Sequence, residues 1–98
     1  MGLENTGISQ QVLEEILALA KTHGLSKVIL FGSRAKGDFC PKSDIDLAAE
    51  GNDIAAFAMD VDEKTETLLR YDIVDVAKVP EELLDIILKE GIVLYEKI

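Results

Sequence analysis

The sequence has little cysteine and no long apolar run. Its single cysteine, Cys40, excludes an internal disulfide and suits a reducing compartment. No apolar stretch reaches the roughly 20 residues that a transmembrane helix needs. Polar residues such as Glu4, Asn5 and Gln10 interrupt the apolar segment that a signal peptide requires. These absences predict a cytoplasmic protein that has no contact with a membrane.

Basic residues are also scarce. The chain has 10 Lys and Arg against 19 Asp and Glu, which gives a formal net charge of −9. This balance argues against a free-standing binder of duplex DNA or RNA, because such a protein needs a net basic face. Nucleotide binding remains open, since divalent cations can bridge acidic side chains to phosphates.

Apolar residues, in contrast, are plentiful. They make up 48% of the 98 residues, which is typical of a folded chain and not of a disordered one. A chain of this length can bury one modest core. We therefore predict a single domain over residues 1–98.

The pattern of apolar residues predicts alternating helices and strands. Helical spacing predicts helices over residues 8–22 and 54–69, and a last helix whose first position is Pro80. Short strands are predicted over residues 27–31, 44–49, 71–77 and 92–95. The core-facing residues predicted for the last two helices are Ile54, Phe57, Ala58, Val61, Leu68, Leu84, Ile87 and Leu88. The expected fold is an α/β (α+β) unit in which helices flank a small mixed sheet.

Gly32-Ser33 directly follows the first predicted strand. A glycine there lets the backbone approach a ligand closely, and the Ser33 hydroxyl with nearby amides could hold phosphate oxygens. By itself, a Gly-Ser turn is more often only a turn.

Asp44 and Asp46 are the second notable feature. On a strand, residues two apart point to the same face, about 6.5–7 Å apart, so both carboxylates project together. Two carboxylates repel each other unless a cation lies between them, and hard oxygen ligands suit Mg²⁺. A third carboxylate on the next strand, Asp72 or Asp75, would suit a site for two metal ions. A solvent-exposed strand face is the plainer explanation of an Asp-x-Asp pair alone.

The two features together resemble a known signature. The segments LFGSRAKG at residues 30–37 and SDIDL at residues 43–47, with ten residues between Ser33 and Asp44, resemble the signature of the DNA polymerase β-like nucleotidyltransferase superfamily. The short chain resembles its minimal nucleotidyltransferase branch, whose members are often MntA-like antitoxins paired with a HEPN-domain RNase toxin. The resemblance extends over most of the chain.

The resemblance implies roles for individual residues. Gly32 and Ser33 would bind the nucleotide phosphates. Apart from the resemblance, the position of Arg34 beside this turn suggests contact with the triphosphate or with a partner, and surface solvation explains this residue nearly as well. Asp44 and Asp46 would bind Mg²⁺ and act in catalysis. The third carboxylate would be Asp72, with Asp75 as the fallback.

The resemblance also implies a reaction. AMP would pass from ATP to a protein hydroxyl, expected to be a tyrosine of a cognate HEPN toxin. Two alternatives stay open: a non-catalytic antitoxin that occludes its partner, and a small-molecule nucleotidyltransferase that works with a partner chain.

Overall fold

The computed structural model describes residues 6–97. In chain order its elements are α1 (Gln10–Thr22), β1 (Lys27–Phe31), α2 (Ser33–Lys36), β2 (Ile45–Glu50), α3 (Ile54–Lys64), β3 (Tyr71–Asp75), α4 (Glu81–Glu90) and β4 (Ile92–Glu96). The predicted fold class, a small mixed sheet flanked by helices, is confirmed. Within the described part of the chain, no helix is both long enough and apolar enough to span a membrane.

The four strands form one sheet in the order β3-β2-β1-β4. Strand β1 is antiparallel to both β2 and β4, whereas β2 and β3 are parallel. The end of β1 therefore lies beside the beginning of β2, and the beginning of β3 lies on the other side of β2. One edge of the sheet thus collects the residues that follow β1 and those that begin β2 and β3.

The two faces of the sheet carry separate apolar clusters. Alternation along the strands points one set of side chains toward α1 and α3, and this larger cluster includes Val28, Leu30, Ile45, Leu47 and Phe57. The smaller cluster on the opposite face is formed by Ile29, Phe31, Ala48 and Ile87. As predicted, Ile45 and Leu47 are fully buried. Their burial fixes the face on which Asp46 must lie.

Helix α3 ends five residues earlier than predicted. Asp53 caps its beginning by accepting a hydrogen bond from the Ala56 amide at 3.1 Å. At the other end, Thr65 is extended, and its hydroxyl donates to the Val61 carbonyl at 2.7 Å. This bond satisfies a carbonyl that a longer helix would have used. Leu68 consequently lies outside the helix and is fully exposed, so the prediction that it faces the core is wrong.

Helix α4 presents a different stripe to the sheet than predicted. Pro80 is the N-cap and not the first helical residue, since the helix begins at Glu81. Ile87 is buried and Leu83 packs beside it, whereas Leu88 is exposed. Helix α4 therefore contacts the sheet through Leu83 and Ile87, which are four residues apart on one side of the helix. Both pack there against the cluster that contains Ile29, Phe31 and Ala48. The prediction that Leu88 faces the core is wrong.

The core predicts the effect of one substitution on α3. Phe57 is 0% exposed, whereas Met59 on the same helix is 63% exposed. We expect Phe57→Ala to lower the free energy of unfolding by about 3–5 kcal/mol. Met59→Ala should change it by no more than about 0.5 kcal/mol. Urea unfolding of the two variants measures both values, and equal losses would contradict this assignment of the core.

Candidate active site

The Gly32-Ser33 turn connects β1 to α2. Gly32 has a φ of +76°, in the region that favours glycine, and it is the N-cap of α2. A Cβ atom at this position would collide with Oδ2 of Asp46. Glycine is therefore required both by the backbone conformation and by the carboxylate that packs against it. The turn predicted to bind phosphate and the aspartate predicted to bind metal are in direct contact.

The three predicted carboxylates lie at the same edge of the sheet. Asp46 is paired with Asp72 on the neighbouring strand, and Asp44 lies immediately before β2. The pKa of Asp46 is raised above its ordinary value by burial first, and then by the negative charges of Asp72 and Asp44; the positive charge of Arg34 opposes the rise. The part of the rise in the pKa that comes from Asp72 and Asp44 reflects repulsion between neighbouring negative charges, which adds to the larger effect of burial.

The structure separates the two candidates for the third carboxylate. Asp72 is exposed and lies directly beside Asp46. Asp75 is paired instead with Ala49, at the other end of the strand. Its Oδ1 accepts a hydrogen bond from the Ala77 amide at 2.9 Å, which closes the turn after β3. The geometry places Asp72, and not Asp75, next to the first pair.

The carboxylates suit a hard cation shared with a phosphate ligand. Among residues 6–97, no side chain or amide donates a hydrogen bond to Asp44, Asp46 or Asp72, and none forms an ion pair with them. In the same range, no group of three or more His, Cys, Asp or Glu side chains is arranged as a complete metal site. Mg²⁺ seldom uses an all-protein cage and commonly takes one or two carboxylates together with phosphate oxygens. Open carboxylates beside the Gly32-Ser33 turn, the predicted phosphate turn, fit that requirement.

Arg34 directly follows the Gly32-Ser33 turn along the chain, but its guanidinium forms its hydrogen bonds elsewhere. Its side chain is 1% exposed and points toward the loop that precedes β2. Its guanidinium donates to the backbone carbonyls of Thr6, Pro41 and Ser43. The prediction that Arg34 binds nucleotide is therefore not supported by its contacts. Nothing in the sequence around Gly32 and Ser33 indicated that the Arg34 side chain would bond to the loop before β2.

A cavity beside Asp44 was not foreseen from the sequence. It has a volume of about 480 Å³ and is lined by Lys42, Asp44, Leu68, Leu69 and Arg70. Neither Lys42 nor Arg70 forms an ion pair with any of the described residues. One indication of this cavity was present in the sequence, because Lys42 and Arg70 each lie just before one of the two strands that carry the aspartates. The cavity offers open space and unpaired positive charge next to the carboxylates.

A mixed sheet with a Gly-Ser turn after one strand and aspartates on the next two defines the class of polymerase β-like nucleotidyltransferases. The family model described as "Polymerase beta, Nucleotidyltransferase" matches residues 14–98. The chain belongs to this family and is an enzyme of the nucleotidyltransferase class.

Relatives and solved structures agree with that assignment. A candidate protein adenylyltransferase of Methanocaldococcus jannaschii is 40% identical over 81 residues, which cover 72% of this chain and 79% of the relative. The structure of a candidate minimal nucleotidyltransferase has a TM-score of 0.67 and 29% identity, and the match covers 82% of this chain and 86% of that one. A toxin–antitoxin crystal structure with AMP-PNP has the same fold, with a TM-score of 0.71 and 24% identity over 87% of this chain and 73% of that one.

The contact between Gly32 and Asp46 predicts a selective loss of activity. Gly32→Ala adds both backbone strain and a collision with the Asp46 carboxylate. Gly24→Ala adds strain alone, since Gly24 has a φ of +65° and a Cβ there would have no neighbouring atom within 4 Å. Gly24→Ala should lose about 1–2 kcal/mol of stability. Gly32→Ala should lose about 1–3 kcal/mol, because its φ of +76° and ψ of −157° lie in a region that is essentially restricted to glycine. Only Gly32→Ala should lose nucleotidyl transfer, by about 100-fold, because Asp46 is displaced.

Activity and urea unfolding are measured side by side for the two variants. Equal activity in both would show that the Gly32 contact does not position Asp46.

Proposed function

We propose that this chain transfers AMP from ATP to a protein hydroxyl group in a Mg²⁺-dependent reaction, and that it acts as the antitoxin of a toxin–antitoxin pair. The observation that carries the proposal is the meeting of Asp44, Asp46 and Asp72 beside the Gly32-Ser33 turn. The name of the Methanocaldococcus relative supports protein adenylylation. Neighbouring folds that come from toxin–antitoxin complexes, one of them with AMP-PNP, support the biological role.

Asp44, Asp46 and Asp72 would hold the metal, as one or two Mg²⁺ ions. When bound, Mg²⁺ would neutralise charge on the triphosphate and lower the pKa of the acceptor hydroxyl. The carboxylates supply negative oxygen ligands from one side, and the open edge of the sheet leaves the other side to the phosphates. Their mutual repulsion is then offset by the cation that they share.

The Gly32-Ser33 turn would bind the β- and γ-phosphates of ATP, which leave as pyrophosphate. The first amides of a helix have no partner within the helix, and α2 begins at Ser33 immediately after the glycine. These amides and the Ser33 hydroxyl can donate to phosphate oxygens. The β- and γ-phosphates would therefore lie over Gly32 and Ser33, with the α-phosphate toward Asp46.

The order of the strands supports one side of the site as the side from which the acceptor would approach. Asp46 lies between the turn after β1 and Asp72 on β3. In an in-line displacement the attacking and leaving oxygens lie on opposite sides of the phosphorus. The acceptor hydroxyl would approach from the side of Asp72, whose exposed carboxylate can accept the proton. A bond forms from the acceptor oxygen to the α-phosphorus, the α–β bridging bond breaks, and pyrophosphate leaves.

A HEPN-domain toxin is the partner that we propose, with one of its tyrosines as the acceptor. Solved complexes with the same fold include an MntA–HepT pair. The cavity beside Asp44 adjoins the side from which an acceptor would approach, and it is open enough to admit a protruding side chain. This arrangement favours a protein acceptor presented by a second chain.

Two aspartates on β3 provide a matched test. We expect Asp72→Asn to reduce AMP transfer by about 100-fold or more, because the variant loses a metal ligand and proton acceptor. Asp75→Asn should keep nearly full activity, since the amide oxygen can still accept the bond from Ala77. The measurement follows label from α-phosphate-labelled ATP onto the product of the neighbouring gene, with and without Mg²⁺.

Label that appears only with Mg²⁺, and that is lost in Asp72→Asn alone, would support the proposal. Equal losses in both variants would contradict the assigned role of Asp72. No label from any common triphosphate, together with continued inhibition of the toxin by Asp44→Ala/Asp46→Ala, would establish occlusion without catalysis.

A further inference from the structure

Arg34 is a buried charge held by backbone carbonyls. It is the largest of the fully buried side chains, and no carboxylate among residues 6–97 forms an ion pair with it. Burying a charge without compensating hydrogen bonds is costly. Arg34 makes four such bonds, all to main-chain oxygens. The burial of the charged Arg34 side chain therefore calls for a structural explanation.

The bonds of Arg34 converge on the segment that leads into Asp44. Its Nε and Nη2 atoms both donate to the Ser43 carbonyl, at 3.1 and 2.9 Å. That carbonyl belongs to the peptide bond between Ser43 and Asp44. Nη2 also donates to the Pro41 carbonyl at 3.2 Å. The guanidinium therefore fixes the last part of the loop at two points.

Other contacts hold the guanidinium in place. Nη1 donates to the Thr6 carbonyl at 2.8 Å, so the segment before α1 is joined to the same group. The Phe39 ring lies against the guanidinium, 4.7 Å from Cζ to the ring centroid. Gly7 closes the remaining side, since a Cβ there would come within 2.6 Å of Nη1. These contacts together hold the Arg34 guanidinium in one position.

The site has two halves, the Gly32-Ser33 turn and the start of β2 with Asp44. The backbone of Arg34 belongs to the first half, and its side chain is bonded to the second. Arg34 directly follows Ser33 in α2, so its main chain moves with the phosphate turn while its side chain holds the start of β2. Residues 37–43 between the two halves contain no helix or strand. The side chain is a second, non-covalent connection across that loop.

We propose that Arg34 is a positioning residue, which sets the distance between the Gly32-Ser33 turn and Asp44 by holding the loop of residues 37–43, without contacting the nucleotide. The inference rests on the function proposed above for those two halves. Lysine cannot replace arginine in this role, because a single ammonium group cannot reproduce a planar fork that donates to separate carbonyls.

The test compares Arg34→Lys with Phe57→Leu, a core variant that lowers stability without touching the loop. In the metal-free protein, ¹⁵N relaxation should show the order parameters of residues 38–40, 42 and 43 falling from about 0.85 to below about 0.6 in Arg34→Lys only. In the transfer assay, kcat should fall by about 10- to 100-fold. The KM for ATP should stay close to that of the wild type, since the phosphate turn is intact.

Two results would overturn the proposal. One is an ordered loop in Arg34→Lys. The other is a raised KM for ATP with an unchanged kcat, which is the signature of a residue that contacts the bound nucleotide. Absence of transfer by the wild type would refute the proposed function instead, and the order parameters would still decide the role of Arg34. Should Arg34→Lys fail to fold, Phe39→Leu removes only the ring against the guanidinium and should loosen the same loop to a smaller extent.

Discussion

Repulsion among three carboxylates at one sheet edge is the constraint on which the site depends. The pairing of β2 with β3 places Asp72 beside Asp46, and Asp44 lies two residues before Asp46. The register between β2 and β3 keeps the backbones of Asp46 and Asp72 adjacent, so their carboxylates stay close to each other. The raised pKa of Asp46 records this crowding as well as its burial. The divalent cation that we propose would offset this repulsion by binding between the carboxylates.

The rest of the fold holds the carboxylates in place. Ile45 and Leu47 are buried against α1 and α3, and they flank Asp46 on β2. A slip of one residue in the pairing would turn Asp46 into that core and expose both apolar side chains. The register is therefore fixed by the apolar cluster. Arg34 and the close contact of Gly32 with Asp46 then connect the strand to the phosphate turn.

Strong local patterns were enough to predict the element order, the Asp46 face and the Gly-Ser turn. Errors and open choices remained where a particular side-chain contact or the strand register, and not the apolar pattern, decided the outcome. Periodicity continued helix α3 to Leu68, but the Thr65 hydroxyl bonds to the Val61 carbonyl and to Tyr71 and ends the helix first. The choice between Asp72 and Asp75 depended on strand register, which the spacing along one chain does not contain. The direction of Arg34 depended on carbonyls of residues up to 28 positions away.

The most direct measurement of a metal-nucleotide site at this edge is an NMR titration with Mn²⁺ and a non-hydrolysable ATP analogue. Paramagnetic Mn²⁺ prefers the same oxygen ligands as Mg²⁺ and broadens the amide signals near it. We expect broadening to begin at residues 32–33, 44–46 and 72, and to depend on the nucleotide. Broadening that begins instead at the acidic residues within the range 60–66, or that is spread evenly over this acidic chain, would contradict a metal-nucleotide site at this edge.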